Sequence, residues 1–239
     1  MSHGELAQNI DTVRSRIAAA AKLAGRDPGE ITLVAATKVQ SSETIRAAIA
    51  AGVTCCGENR VQELTAHLED QAYQGAQLHF IGHLQTNKVK FVVGRVDLIH
   101  SVDSLRLLEA IHTHAQKLDI IQDILLEVNI AGEASKGGCP PDEAKALAQA
   151  AVQLPHIRLR GLMCIPPAAD LPQDNRVYFK KMFQLFVDIK SKMGDNVKDL
   201  IYLSMGMSGD FEEAILQGAT HVRVGTALFG SRPPVPVTN

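Results

Sequence analysis

The chain has 239 residues, 46% of them hydrophobic, with 24 basic side chains against 26 acidic ones and a net charge of -2. This length and composition can bury a sizeable core and fit a single α/β domain over residues 1–239. No basic block and no apolar run long enough to cross a bilayer occurs, which argues against nucleic acid and membrane and leaves a small molecule as the expected partner.

The first residues, Met1 to Glu5, are polar and lead into an amphipathic stretch where a secreted chain would carry an apolar signal core. Leu6, Ile10, Val13, Ile17 and Ala20 recur at three and four residues, predicting a helix over about 5–25, closed by Gly25 with Pro28 beyond. A barrel is expected over about 30–232. Short β-branched runs begin near Ile31, Thr54, Gln77, Asp97, Asp123, Arg158, Leu200 and His221, and each of the first seven is followed by a helical pattern. Eight strands with helical crossovers make a closed (β/α)8 TIM barrel preceded by one extra helix. Ser42 is the expected cap of a helix carrying Ile45, Ala48 and Ile49, and Asp103 or Ser104 that of one carrying Leu105, Leu108, Ile111 and Ala115. Pro140-Pro141-Asp142 opens the helix of Ala144, Leu147 and Ala151. The stripe Phe179, Met182, Phe183, Phe186 and Ile189 reads as core packing. A long loop runs from Pro166 to Asn175, and Pro233 to Asn239 is a short tail.

The four cysteines, Cys55, Cys56, Cys139 and Cys164, make no C-x-x-C pair. Adjacent Cys55 and Cys56 would face opposite sides of a strand, so a reduced, cytoplasmic setting is the simpler reading. Nine histidines show no metal signature, and no metal is expected.

Lys38 ends the apolar run Ile31 to Thr37, just before a helix signal. A lysine at the carboxyl end of an inner strand loses water, its pKa can fall, and its neutral amine can attack an aldehyde to form a Schiff base. Most single lysines are solvated loop residues, so the neighbours decide. Barrel sites lie in the loops after the strands, with phosphate commonly bound after strands seven and eight. Strand seven ends in Ser204-Met205-Gly206-Met207-Ser208-Gly209-Asp210, which offers hydroxyls and backbone N–H groups; Asp210 is also an ordinary helix cap. Strand eight ends in Arg223-Val224-Gly225-Thr226. Arg223 shares a strand face with Gly225 and lies beneath it, where its guanidinium meets either a barrel-interior carboxylate or a heterocyclic nitrogen. An aldehyde-reactive lysine, a phosphate cradle and a cation for a ring nitrogen are the three anchors of pyridoxal 5'-phosphate.

Five segments carry a resemblance: Ala36-Thr37-Lys38, Gly57 to Glu63 (GENRVQE), Phe80 to Lys88 (FIGHLQTNK), Ser204 to Ser208 (SMGMS) and Val222 to Thr226 (VRVGT). They resemble the YggS/PROSC family of pyridoxal phosphate homeostasis proteins over about residues 5–232. The resemblance implies the fold-type III, alanine-racemase-like barrel without its second β domain. It implies that Lys38 carries the cofactor as an internal aldimine and that Arg223 faces the pyridine nitrogen. Ser204, Gly225 and Thr226 would hold the phosphate and Asn59 would sit beside the ring, while Met205 and Gly206 of the loop after strand seven are further cofactor-binding candidates. The loop Gly161 to Pro167 fits the family loosely, since Cys164 and Pro167 depart from its pattern, and Met163 is a further candidate there. His83 is a candidate for the mouth beside a structural reading, and Lys136 is either a second amine near the cofactor or a solvated loop lysine.

A racemase on this scaffold needs proton-transfer groups on both faces of the cofactor. Tyr73, Tyr178 and Tyr202 fall on helices or inside a strand, outside the mouth loops, so no second base is visible. An arginine at the ring nitrogen also weakens the electron sink. The expected function is therefore to bind, buffer or deliver pyridoxal 5'-phosphate with little or no catalysis. The expected state is a monomer, with cofactor-dependent apo-enzymes as possible receivers. The alternatives are an amino-acid racemase and a Schiff-base aldolase acting on a sugar phosphate.

Overall fold

A computed structural model describes residues 1–133, 136–168 and 170–230. The expected tail from Pro233, the last residues of the expected barrel and Ser135 beside Lys136 lie outside the described residues.

Helix α1 (His3–Leu23) opens with a capping box, in which Ser2 Oγ accepts from the Glu5 amide at 3.2 Å and the Glu5 carboxylate accepts from the Ser2 amide at 2.7 Å. Its apolar stripe, Leu6, Ile10, Val13, Ile17 and Ala20, is buried as the period predicts. The barrel follows as β1 (Thr32–Ala36), α2 (Ser42–Ala50), β2 (Cys55–Glu58), α3 (Val61–Glu69), β3 (Gln77–Phe80), β4 (Leu98–Val102), α4 (Leu105–Lys117) and β5 (Gln122–Glu127). It continues with α5 (Ala144–Ala151), β6 (Ile157–Met163), α6 (Arg176–Met193), β7 (Tyr202–Met207), α7 (Phe211–Leu216), β8 (His221–Val224) and α8 (Thr226–Phe229). The eight strands pair in parallel in chain order and β1 closes on β8, so the fold is a (β/α)8 barrel with an added amino-terminal helix. Helix α1 packs against α7 and α8 beside the closure.

Four local expectations are corrected. The third crossover carries a six-residue 3-10 helix, Thr86–Phe91, although the buried Val89, Val92, Val93 and Val96 keep α-helical spacing, because Gly94 takes φ +77° and breaks the run before an α-helix can form. Ser41, not Ser42, caps α2 by accepting from the Thr44 amide at 3.1 Å, while Ser42 Oγ reaches His67 and Asp70. In the α6 stripe Phe179, Met182 and Ile189 are buried but Phe183 is 42% exposed. Asp210 does not cap α7 with its side chain; it accepts instead from the Met207 amide at 2.7 Å and from Asn175 Nδ2 at 2.8 Å.

The two faces of the strands separate as alternation requires. Cys56 belongs to the large core between barrel and helices, whereas Cys55 packs with Val34, Ala36 and Ile81 in a separate cluster. All four cysteines are buried and free.

Candidate functional site

At the carboxyl ends of the strands a cavity of about 460 Å³ opens between β1, β2, β3, β6, β7 and β8. Lys38 and Ala36 line it from the end of β1, Asn59 from β2, Met207, Ser208 and Gly209 from β7, and Arg223, Gly225 and Thr226 from β8. A larger hollow of about 910 Å³ lies at the amino ends, lined by Arg14, Thr32, Thr54 and Asp97 among others. Barrel chemistry belongs to the carboxyl ends, and the lysine lies there, so size does not decide between them.

The structure brings Lys38, Asn59, Arg223, Gly225 and Thr226 to one cavity. Asn59 follows β2 and is seated by Gly82, where an added Cβ would lie 2.0 Å from the Asn59 carbonyl oxygen. Any side chain at Gly82 would push Asn59 away. Asn59 Oδ1 is buried and has no hydrogen-bond partner among the described residues, so the cavity wall holds an unsatisfied acceptor.

Arg223 is buried at the cavity floor, and burial pushes its pKa below the ordinary value. No carboxylate among the described residues lies within ion-pair distance of it. It donates to Ser204 Oγ at 2.6 Å and to the Cys164 carbonyl at 2.9 Å. A guanidinium has five N–H donors, so donors remain for an acceptor in the cavity.

Ser204 does not reach the cavity. It is fully buried and pairs in register with His221, four residues before Gly225, or about 13 Å lower along the strand direction. Ser208 takes the place expected for it. Ser208 Oγ accepts from the backbone N–H of Gly225 at 3.1 Å and of Ala227 at 3.3 Å, so two amides converge on one oxygen while the hydroxyl hydrogen stays available.

The remaining expectations also move. Met205 packs outward into the core between barrel and helices, and Gly206 is buried against α7. Met163 lies in the barrel interior with Leu98 and Leu125. His83 is largely exposed, 3.9 Å from Asp103, and does not line the cavity. Nor does Lys136, whose backbone amide and carbonyl bond to Glu133 and Asn129 within its own loop. Tyr73 lies in the turn after α3, not on a helix, with its hydroxyl on Glu58 Oε2 at 3.0 Å.

Sequence reasoning missed what lies below Arg223. A guanidinium cannot accept, so Ser204 Oγ accepts from it and its own hydrogen points to His100 Nδ1 at 3.0 Å. His100 Nε2 then donates to His79 Nδ1 at 3.0 Å. This polarity needs neutral imidazoles, and burial supplies them: His79 is pushed down to about 4 and His100 well below its ordinary value. His221 of β8 lies beside them, its ring centroid 5.8 Å from that of His79, so the interior histidines come from β3, β4 and β8, and only alternation along three separate strands would have grouped them.

Known proteins resemble the chain over nearly its whole length. The family model described as alanine racemase, N-terminal domain, matches residues 3–233. A pyridoxal phosphate homeostasis protein of Aquifex aeolicus is 44% identical over 225 residues, 94% of this chain and 97% of the relative. That of Escherichia coli K12 is 38% identical over 232 residues, 95% and 97% of the two chains. The structure of PipY from Synechococcus elongatus with PLP bound superposes with a TM-score of 0.83 at 32% identity, covering 94% of this chain and all of that one.

Proposed function

The chain belongs to the alanine racemase N-terminal domain family and, within it, to the pyridoxal phosphate homeostasis proteins, and from that membership we propose that it binds pyridoxal 5'-phosphate, holds it as a Schiff base on Lys38 and buffers or delivers it. The observation that carries this reading is the convergence around one cavity of Lys38, Arg223, Gly225, Thr226 and Ser208, whose Oγ gathers the Gly225 and Ala227 amides and keeps its hydroxyl hydrogen available. The cofactor supplies an electrophilic aldehyde, a pyridine nitrogen and a phosphate. Lys38 is the amine for the aldehyde, Arg223 the donor for the ring nitrogen, and Ser208, Gly225 and Thr226 the phosphate holders. The unsatisfied Asn59 Oδ1 fits a ligand bearing a donor beside the ring.

The protein performs little or no catalysis in this reading. Apart from Lys38, the described residues lining the cavity include no Tyr, His, Cys, Asp or Glu to move a second proton. Arg223 donates a hydrogen bond without giving up a proton, which leaves the ring a weak electron sink. We read the chain as one cofactor-binding barrel, monomeric, with apo-enzymes as receivers. The buried free thiols support a cytoplasmic setting, and no helix among the described residues is long and apolar enough to cross a membrane.

Purified protein should show a visible absorbance band that borohydride removes, with the label on the Lys38 peptide, and Lys38→Ala should abolish both. Absence of the band in cofactor-saturated protein would favour the aldolase alternative. Robust, Lys38-dependent deuterium exchange at the α-carbon of free amino acids would replace the carrier by a racemase.

A further inference from the structure

Lys38 occupies a tight turn whose geometry its own sequence does not favour. The Gln40 amide donates to the Thr37 carbonyl at 3.0 Å, which makes Thr37 to Gln40 a four-residue turn with Lys38 and Val39 at its centre. Val39 has φ +60°, while Lys38 is not among the residues of positive φ, so the turn is of the type II kind. Its third position calls for glycine or asparagine, and a β-branched residue there is strained. Something outside the turn must hold it.

Two glutamates of the segment Gly57 to Glu63 do so from either side. Glu63 Oε2 accepts from the Val39 amide at 2.9 Å, and its other oxygen is occupied by Arg60 at 3.0 Å. Glu58, fully buried at the end of β2, accepts from the Asn59 amide at 2.7 Å and from Tyr73 at 3.0 Å, and with the Gly57 carbonyl at 3.2 Å it shares the Thr37 hydroxyl, which lies 3.1 Å from it. The residue before Lys38 and the residue after it are each tied to a carboxylate, and the first of these carboxylates also holds Asn59 across the cavity.

Resting on the cofactor reading above, we propose that Glu58 and Glu63 are positioning residues for Lys38. They clamp its turn from both sides, Glu63 by stabilising the strained Val39 conformation and Glu58 by coupling Thr37 to the Asn59 backbone. The segment from Gly57 to Glu63 thus serves the lysine of β1 as well as supplying a cavity residue of its own. Loss of the Glu63 carboxylate lets Val39 relax out of the left-handed region and turns the lysine away from the cavity.

The test uses the full chain and the variants Glu63→Ala, Glu63→Gln, Val39→Gly, Glu63→Ala with Val39→Gly, and Thr37→Val. Readouts are cofactor affinity from the visible band, the borohydride-trapped fraction at Lys38, and hydrogen exchange of residue 39's amide in cofactor-free protein. Glu63→Ala should weaken affinity about ten-fold, the loss of roughly one charge-assisted hydrogen bond, and speed exchange at residue 39. Glu63→Gln, which keeps an acceptor, should stay within about three-fold of the parent. Adding Val39→Gly to Glu63→Ala should restore binding, because glycine needs no clamp at positive φ. Thr37→Val, which removes the hydroxyl shared by Glu58 and the Gly57 carbonyl at the β2 end, should weaken affinity about three-fold. Wild-type affinity in Glu63→Ala, or no rescue by Val39→Gly, overturns the Glu63 half; wild-type affinity in Thr37→Val overturns the Glu58 half. If the parent protein shows no band, the cofactor reading fails, and the exchange rates still report on the Glu63 clamp.

Discussion

Ser204 and Ser208 stand four residues apart and do different things. Ser208 Oγ gathers the amides of Gly225 and Ala227 at the cavity, whereas Ser204 Oγ receives Arg223 below it. Removing either hydroxyl should therefore weaken cofactor binding by separable routes. Ser208→Ala should cost pyridoxal 5'-phosphate about ten-fold in affinity and leave pyridoxal, which lacks the phosphate, within about two-fold, as expected for one lost hydrogen bond to a charged group. Ser204→Ala should weaken both compounds alike, since it loosens the arginine and not the phosphate donors. Equilibrium titrations with the two compounds separate these outcomes. The distinction was not legible in the sequence. Lys38, Arg223 and Gly225 could be placed from the end of one strand and from alternation along another, both local properties. The height of Ser204 relative to Gly225 depends on how β7 registers against β8, and that register is set by contacts remote in the chain.

At the scale of elements, β7 departs from regular pairing where it approaches the site. Ser204 pairs with His221 but Met207 pairs with Arg223, so β7 carries one more residue than β8 over this interval and bulges. Gly206 makes the bulge possible. Its φ is +90°, and a Cβ there would sit 2.5 Å from the Ala214 Cβ and 2.9 Å from the Phe211 Cα of α7. Gly206→Ala should thus combine backbone strain with overpacking and cost about 2–4 kcal/mol. Gly25→Ala, also at positive φ but with nothing within 4 Å, should cost about 1 kcal/mol. Urea unfolding of both variants checks the difference, and equal costs would remove the packing argument. The strand starts themselves were readable, each falling within two residues of its expected position, because β-branched runs bounded by turn residues are a local signal. The third crossover was not, because the α-helical spacing of Val89, Val92, Val93 and Val96 reads as a helix while the positive φ of Gly94 that breaks it leaves no period to detect.

At the scale of the molecule, the barrel interior below Arg223 is a histidine cluster held neutral by burial, and this fixes how stability responds to acid. His79 falls from its ordinary 6.5 to about 4, His221 to about 3, and His100 well below its ordinary value, with burial the largest cause in each. In the unfolded chain all three take up protons as pH falls through about 6.5, while in the native barrel His79 waits until about 4 and His221 until about 3. Between these limits the unfolded state binds more protons, so stability rises with pH and is lost on acidification, by up to about 1.4 kcal/mol per pH unit for each histidine. Glu58 and Glu127 oppose this, since burial raises their pKa and the native state keeps their protons at a pH where the unfolded chain has lost them. Three histidines against two carboxyls leave a net acid lability that sets in below about pH 6.5, above the range where ordinary carboxylates titrate. Urea midpoints should accordingly drop steadily from pH 7 to pH 5. His100→Leu should be less stable than the parent at pH 7, because it strands Ser204 and His79, yet show a shallower pH slope for want of one suppressed proton site. An unchanged slope would mean that His100 takes up its proton in the native barrel, and a protonated His100 cannot accept from Ser204 in the chain that ends at Arg223.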